Sequence, residues 1–294
     1  MNKVSVVFII ACVFCVILGC VSSSMKRYGN RTFLWVCYYA GFENFKLSPD
    51  ISLAILDPDN VANPHDIKGK NTLVVGYLSI GEAEDFRWYW KDIAGKDFVL
   101  EPNPDWEGDY YIDPRSSGWR NFVIRKIIPD ILAKGYDGLF LDTIDTGEFL
   151  EWKDPQKYAG SKDAMVELIR QIRINYPDII IISNNGFPIL EKIAKYINYA
   201  LVEDLYTSYD FDKKIYLDQD IEITNQRIKS LKRISYDFNI PILTLDYCEQ
   251  SNSGKIAEIS SKSVVCGFYP YVTDISLQNI SDHFKEPVYG KIHN

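Results

Sequence analysis

Eight short apolar runs, most of the later ones separated by stretches with helical periodicity, constrain this chain more than any other feature. They lie at Phe33–Tyr39, Ile51–Leu56, Thr72–Ile80, Asp137–Asp142, Ile179–Ser183, Asn198–Glu203, Ile240–Asp246 and Val264–Tyr269. Runs such as VVGYLSI and IIIIS are apolar at successive positions rather than alternate ones, the pattern of parallel strands covered on both faces. Between them, Trp119–Lys134, Ser161–Tyr176, Pro188–Lys195, Asp220–Phe238 and Gly254–Ser261 place apolar residues three and four apart, as amphipathic helices do. Strand and helix alternation selects the α/β class. Eight such units predict a single (β/α)8 TIM barrel over residues 33–294, with Gly81–Ser117 as an elaborated loop after the third strand. A doubly wound open sheet is the alternative, but no glycine-rich phosphate loop follows an early strand.

In a barrel of this kind the carboxyl ends of the strands form the working face, and here those ends are polar. The first run ends in Tyr38-Tyr39 and the third in Ser79, with Glu82 just beyond. The fourth ends in Asp142, with Asp145 following, and the fifth in Ser183-Asn184-Asn185. The last three end in Glu203-Asp204, Asp246-Tyr247, and Tyr269 with Tyr271. Each has an ordinary reading as a turn, a helix cap or a loop acid. Carboxylates from several strands meeting at one mouth would repel each other unless a ligand or a proton used them.

Glycoside hydrolysis uses two carboxyl groups, one at the oxocarbenium-like centre and one on the departing oxygen. Asp142 and Glu203 are the natural pair. Their strands stand two spacings apart, roughly 9–10 Å at ~4.8 Å per strand, and inward side chains narrow that to about 5–6 Å, the range of a double displacement. The shorter Asp142 suits the nucleophile and the longer Glu203 the acid/base. Asp145, Glu82, Asn184 and Asp246 would then hold substrate hydroxyls or amines, and Tyr38, Tyr39, Tyr77 and Tyr271 would form the walls. No cofactor is required. The adjacent rings Trp88, Tyr89 and Trp90 cannot all face a core, so at least one lines the cleft or packs under the loop.

Metal-dependent hydrolysis competes, through an all-oxygen set of Asp142, Asp145 and Glu82. Imidazole ligands are scarce: His65, His283 and His293 are far in sequence from any strand end and read as surface residues. The same scarcity leaves a serine or cysteine nucleophile without a base. A formal charge of −8 disfavours a nucleic-acid partner, which needs clustered Lys and Arg.

The N-terminus resembles a bacterial lipoprotein signal. Lys3 precedes the apolar Val4–Leu18, and Ile17-Leu18-Gly19-Cys20 sets a small residue before a cysteine. Residues 1–19 are expected to be cleaved, Cys20 lipidated, and residues 20–32 to serve as a tether, placing the body outside the cytoplasm on a bacterial membrane. An uncleaved anchor is the rival, but the apolar stretch is short for a bilayer span. Cys12 and Cys15 leave with the signal. Cys37, Cys248 and Cys266 are odd in number and lack CxxC spacing, so they read as buried thiols.

Four segments in order, GYLSIGEAEDFRWYW at the third run, YDGLFLDTID at the fourth, ISNNG at the fifth and ALVEDLY at the sixth, resemble glycoside hydrolase family 114. The likeness runs from Phe33 to Tyr271 and points to a bacterial and archaeal branch once labelled cysteinyl-tRNA synthetase-related, although no ATP-binding signature of such an enzyme is present. It implies a (β/α)8 barrel with catalytic Asp142 and Glu203, acting on an extracytoplasmic polysaccharide rich in α-1,4-linked galactosamine. A surface lipoprotein that keeps the barrel and binds carbohydrate without turnover is the alternative expectation.

Overall fold

The computed structural model describes residues 33–41 and 47–281. The expected signal (1–19), lipidated Cys20 and tether (20–32) lie outside the described residues, as do His283 and His293.

Strand β1 (Leu34–Tyr38) is followed by β2 (Ile51–Leu56) and β3 (Leu73–Ser79), then by a small antiparallel sheet of β4 (Glu82–Glu84), β5 (Val99–Pro102) and β6 (Asp109–Ile112). The main sheet continues with β7 (Gly138–Asp142), β8 (Ile180–Asn184) and β9 (Tyr199–Glu203). A hairpin of β10 (Thr207–Asp210) and β11 (Ile215–Asp218) intervenes before β12 (Ile242–Tyr247) and β13 (Tyr269–Thr273). The main sheet is parallel throughout, in the order β1-β2-β3-β7-β8-β9-β12-β13. It curls into a nearly closed barrel. At the seam between its first and last strands the Trp35 indole donates to Tyr269 O at 2.9 Å, its ring lies 5.5 Å from that of Tyr271, and Tyr39 N donates to Leu277 O at 2.8 Å.

Helices α1 (Trp90–Ile93), α2 (Ser117–Phe122), α3 (Ile128–Ala133), α4 (Thr146–Lys153), α5 (Ser161–Asn175), α6 (Phe187–Ile193), α7 (Ile221–Phe238) and α8 (Ser253–Val265) connect or cover the strands. Between α2 and α3 the chain widens into a π turn at Val123–Ile127. Pro129 follows at once; a proline removes a ladder donor and crowds the carbonyl four residues back, so the predicted helix over 119–134 forms with a local widening rather than regularly. Helix α7 starts where expected because the Asp220 carboxylate accepts from the amides of Glu222 and Ile223.

The last strand differs from the expectation of Val264–Tyr269. Val264 and Val265 end α8, whose buried stripe Ile256, Ile259 and Ser263 carries the helix through them. Gly267, at φ 82°, then turns the chain, with Gly267 N donating to Val264 O and Phe268 N to Ser263 O. This glycine-terminated cap converts an apolar pair that reads as strand into the end of a helix. The strand itself begins at Tyr269.

Gly81–Ser117 forms the expected elaboration, with a sheet of its own. Tyr89 is buried against Phe122, Trp90 packs on Tyr110 at 4.7 Å, and Lys126 lies over the Trp88 ring. These rings hold the excursion together rather than lining the mouth.

The seam yields a stability prediction. Trp35→Phe removes the indole donor from a fully buried position and should lower the unfolding free energy by about 2–4 kcal/mol, read as a lower urea midpoint at unchanged slope. An unchanged midpoint would mean that other contacts hold the seam.

Candidate active site

Three adjacent strands end in the central residues: β7 in Asp142, β8 in Asn184 and β9 in Glu203. Each is followed by a residue in the left-handed region, Thr143 (φ 56°), Asn185 (φ 49°) and Asp204 (φ 54°). The chain thus turns sharply away, leaving the preceding side chain at the lip. Asn and Asp tolerate this conformation, whereas a β-branched threonine adopts it only when its surroundings impose it. Thr143 is held: its Oγ1 accepts from Gly81 N at 2.9 Å, shares a hydrogen bond with Ser79 Oγ at 2.8 Å, and donates to Asp142 O at 2.7 Å. Gly81 is required for this approach, since a Cβ there would stand 2.1 Å from Thr143 O.

Asn184 joins the two acids. Its Nδ2 donates to Asp142 Oδ1 and to Glu203 Oε1, each at 2.7 Å, so these oxygens lie at most twice that distance, about 5.4 Å, apart. Two carboxylate acceptors fix the amide orientation, because only the nitrogen side can donate to both. The second oxygen of Glu203 accepts from the Tyr247 hydroxyl at 2.8 Å. Burial first, then the charge of Asp142, raises the pKa of Glu203, while Tyr247 and Asn184 oppose the rise. Tyr77 lies near Asp142, whose charge adds to the effect of burial on its phenol, and its ring meets that of Tyr39 at 5.2 Å. Burial pushes the phenols of Tyr39, Tyr77 and Tyr247 well up, which keeps them as neutral donors. Cys37 is buried on β1, and burial raises its thiol likewise.

The excursion after β3 adds an outer group of acids. Glu82 is buried and accepts from Asn103 Nδ2 at 3.2 and 3.1 Å. Burial outweighs that hydrogen bond and, with Asp142, Asp145 and Glu84 nearby, moves its pKa up to about 7. Asp109, paired with Glu84 across the β4–β6 ladder, also rises to about 7, through burial and then the charges of Glu84 and Glu82. Arg87 answers part of this charge. Its guanidinium reaches Asp57 at 2.8 Å, Asp59 at 3.2 Å and Glu84 at 3.0 Å, and it lies over the Tyr77 ring. Although burial works against its charge, Glu84 and Asp57 hold it protonated. Glu84 Oε2 is buried without a hydrogen-bond partner. Asp145 precedes α4 and is exposed; its pKa is raised by desolvation and then by the charge of Asp142. Among the described residues no three His, Cys, Asp or Glu side chains converge as a metal site, the set Asp142, Asp145 and Glu82 included.

Asp142, Glu203, Asn184, Tyr39, Tyr77, Glu82 and Asp145 are thus brought to one mouth. Three expected residues are not. Successive strand residues face opposite ways, so with Tyr247 turned to Glu203, Asp246 points out of the barrel. There it is fully buried and its Oδ1 accepts from the amides of Tyr206 (2.7 Å) and Thr207 (3.1 Å). Tyr38 faces away for the same reason, its hydroxyl directed to Gly41 O at 3.3 Å. Tyr271 does point inward, but from mid-strand; it is 2% exposed and packs on Trp35 below the mouth. Tyr247 joins the site as well, and the alternation Leu243, Leu245, Tyr247 identifies it as inward. So do Asn103, Arg87 and Asp109, whose approach depends on the fold of the excursion and carries no local signal.

The raised acids give a pH prediction. A carboxyl with a raised folded-state pKa supports stability below its unfolded value and withdraws that support as pH climbs through the folded one. Glu82 and Asp109 therefore lower stability progressively as pH rises from about 4 to 7, and Glu203 acts in the same sense. Glu203→Gln should be more stable than the native protein at pH 8 by roughly 1–3 kcal/mol, with the gain gone at pH 4. Urea titrations at the two pH values check this; a gain equal at both would remove the protonation of Glu203 as its source.

Known proteins share this fold. Among solved structures, the glycoside hydrolase domain of PelA from Pseudomonas aeruginosa superposes with a TM-score of 0.73 at 18% identity, over 84% of this chain and 98% of that one. Aspergillus fumigatus Ega3, in complex with galactosamine, gives 0.63 at 14% identity, over 86% and 98%. These likenesses show the same fold. In sequence, an uncharacterized protein of Methanocaldococcus jannaschii is 29% identical over 84% of this chain and 77% of its own length. One from Thermotoga maritima is 27% identical over 74% and 70%. The sequence pattern of glycoside-hydrolase family GH114 matches residues 23–289, and the chain belongs to that family.

Proposed function

We propose that this glycoside hydrolase cleaves an amino-sugar polysaccharide of the α-1,4-linked polygalactosamine kind by double displacement, with net retention of configuration. The observation that carries the reading is the Asn184 bridge. It holds the facing oxygens of Asp142 and Glu203 within about 5.4 Å, compatible with the ~5–5.5 Å of retaining enzymes and short of the ~6.5–9.5 Å that leaves room for water in inverting ones.

In the first step an Asp142 carboxylate oxygen attacks the anomeric carbon as the bond to the leaving oxygen breaks. Glu203 gives that oxygen its proton. The raised pKa of Glu203 suits it to hold the proton until then. In the second step the Glu203 carboxylate takes a proton from water, whose oxygen displaces Asp142 from the anomeric carbon and restores both groups. Asn184 keeps the two acids in register, and Tyr247 orients Glu203 through its far oxygen. Tyr39 and Tyr77 wall the site. The outer acids Glu82, Glu84, Asp109 and Asp145 favour the cationic amines of a deacetylated amino sugar, and galactosamine is the ligand bound in the Ega3 complex.

We further propose that the protein works outside the cytoplasm, tethered through lipidated Cys20 after removal of residues 1–19, on the pattern of Lys3, Val4–Leu18 and Gly19-Cys20.

The test is release of reducing ends from partially deacetylated α-1,4-polygalactosamine. The native protein should cleave it, and Asp142→Asn and Glu203→Gln should each lose roughly 10³-fold or more while keeping native circular dichroism. Activity retained in both variants would reject the assignment.

A further inference from the structure

Two large rings stand exposed where the excursion after β3 meets the hairpin after β9. Trp106, in the turn between β5 and β6, is 52% exposed, and Phe211, at the tip of the β10–β11 hairpin, is 54% exposed. Their centroids lie 5.1 Å apart, edge to face. The row continues inward from Phe211 to Tyr209 at 5.0 Å and from Tyr209 to Tyr216 at 4.9 Å. The Tyr216 hydroxyl accepts from Ile275 N at 3.1 Å, beyond the end of β13.

Both loops are rooted in the candidate site. Trp106 stands three residues after Asn103, whose side chain holds Glu82. The hairpin starts four residues after Glu203, its base pinned by the two amides that donate to Asp246. β3 and β9 are three places apart round the barrel, with β7 and β8 between them. A contact between loops rooted so far apart bridges the mouth.

We propose that the Trp106–Phe211 bridge is a stacking subsite for the polysaccharide, taking the apolar C–H face of a pyranose unit beyond the bond that is cleaved. Leaving two such rings half exposed gives up the free energy of burying them, and flat rings held in place by neighbours bind at little entropic cost. A sugar chain is the occupant that fits. The two loops that carry the rings are rooted at β3 and β9, on the same face of the barrel as Asp142 and Glu203, and the exposed Asp105, Glu107 and Asp212 beside the rings suit a cationic sugar. The bridge therefore makes affinity grow with chain length.

The substrate class rests on the glycosidase reading above, and the test separates the two. Binding of α-1,4-galactosamine oligomers from dimer to decamer is measured by calorimetry on Asp142→Asn protein, alone and with Trp106→Ala, Phe211→Ala or Trp106→Phe added. Cleavage of the same oligomers is measured with native aspartate. Affinity should rise with length; each alanine should cost about tenfold on the decamer and much less on the dimer, and Trp106→Phe should keep most of the gain. Trp152→Ala, an exposed ring on α4 outside the bridge, should change nothing. Length dependence that survives both alanine variants, or an equal loss with Trp152→Ala, overturns the bridge whether or not the oligomers are cleaved. Variant-sensitive binding without cleavage by the native protein supports the bridge and rejects the proposed cleavage of this polymer, and no binding at any length overturns the bridge.

Discussion

The Asn184 amide between the Asp142 and Glu203 carboxylates is the interaction on which the rest of the mouth depends. Two acids at the ends of β7 and β9 would separate or share a proton if nothing stood between them. One NH2 group, giving a hydrogen to each at 2.7 Å, sets their spacing and keeps their side chains pointing inward. The bridge needs three neighbouring strands to end at the same height, and the left-handed residues Thr143, Asn185 and Asp204 meet that need by bending each chain away directly after the functional side chain. The hydrogen bonds around Thr143, and the glycine at position 81 that admits them, are the cost of this geometry at its most strained point.

Electrostatics gives the site its second character. Glu203 is raised by burial and by Asp142, and Glu82 and Asp109 by burial and their acidic neighbours, so the mouth holds protons near neutrality that ordinary carboxyls would have released. The same crowding that raises these pKa values lowers stability as pH rises. Arg87, clamped by Asp57, Asp59 and Glu84, offsets part of the charge on one side only.

Much of this is legible in the sequence because barrel strands announce themselves by continuous apolar runs and the acids sit at their ends. Asp142 and Glu203 follow from counting strands, and Asn184 is found at the end of the strand between them. Its expected part is to hold substrate, whereas its amide joins the two acids, a contact that needs the folded register to be seen. Asp246 misled because the end of a strand does not by itself tell which face a residue takes; the inward neighbour Tyr247 was the better choice, as the alternation through Leu243 and Leu245 indicates. Val264 and Val265 misled because a short apolar pair fits either a strand or the last turn of a helix, and the Gly267 cap decided for the helix. The contributions of Asn103, Arg87 and Asp109 arise from how the excursion folds back on the barrel, a nonlocal arrangement with no periodic trace.

The most direct test of the paired-acid mechanism is the anomeric configuration of the first product, followed by proton NMR as an α-linked galactosamine oligomer is cleaved. Acids held this close predict that the α-anomer forms first and equilibrates to β afterwards. Initial release of the β-anomer would contradict the double displacement and the geometry from which it is argued.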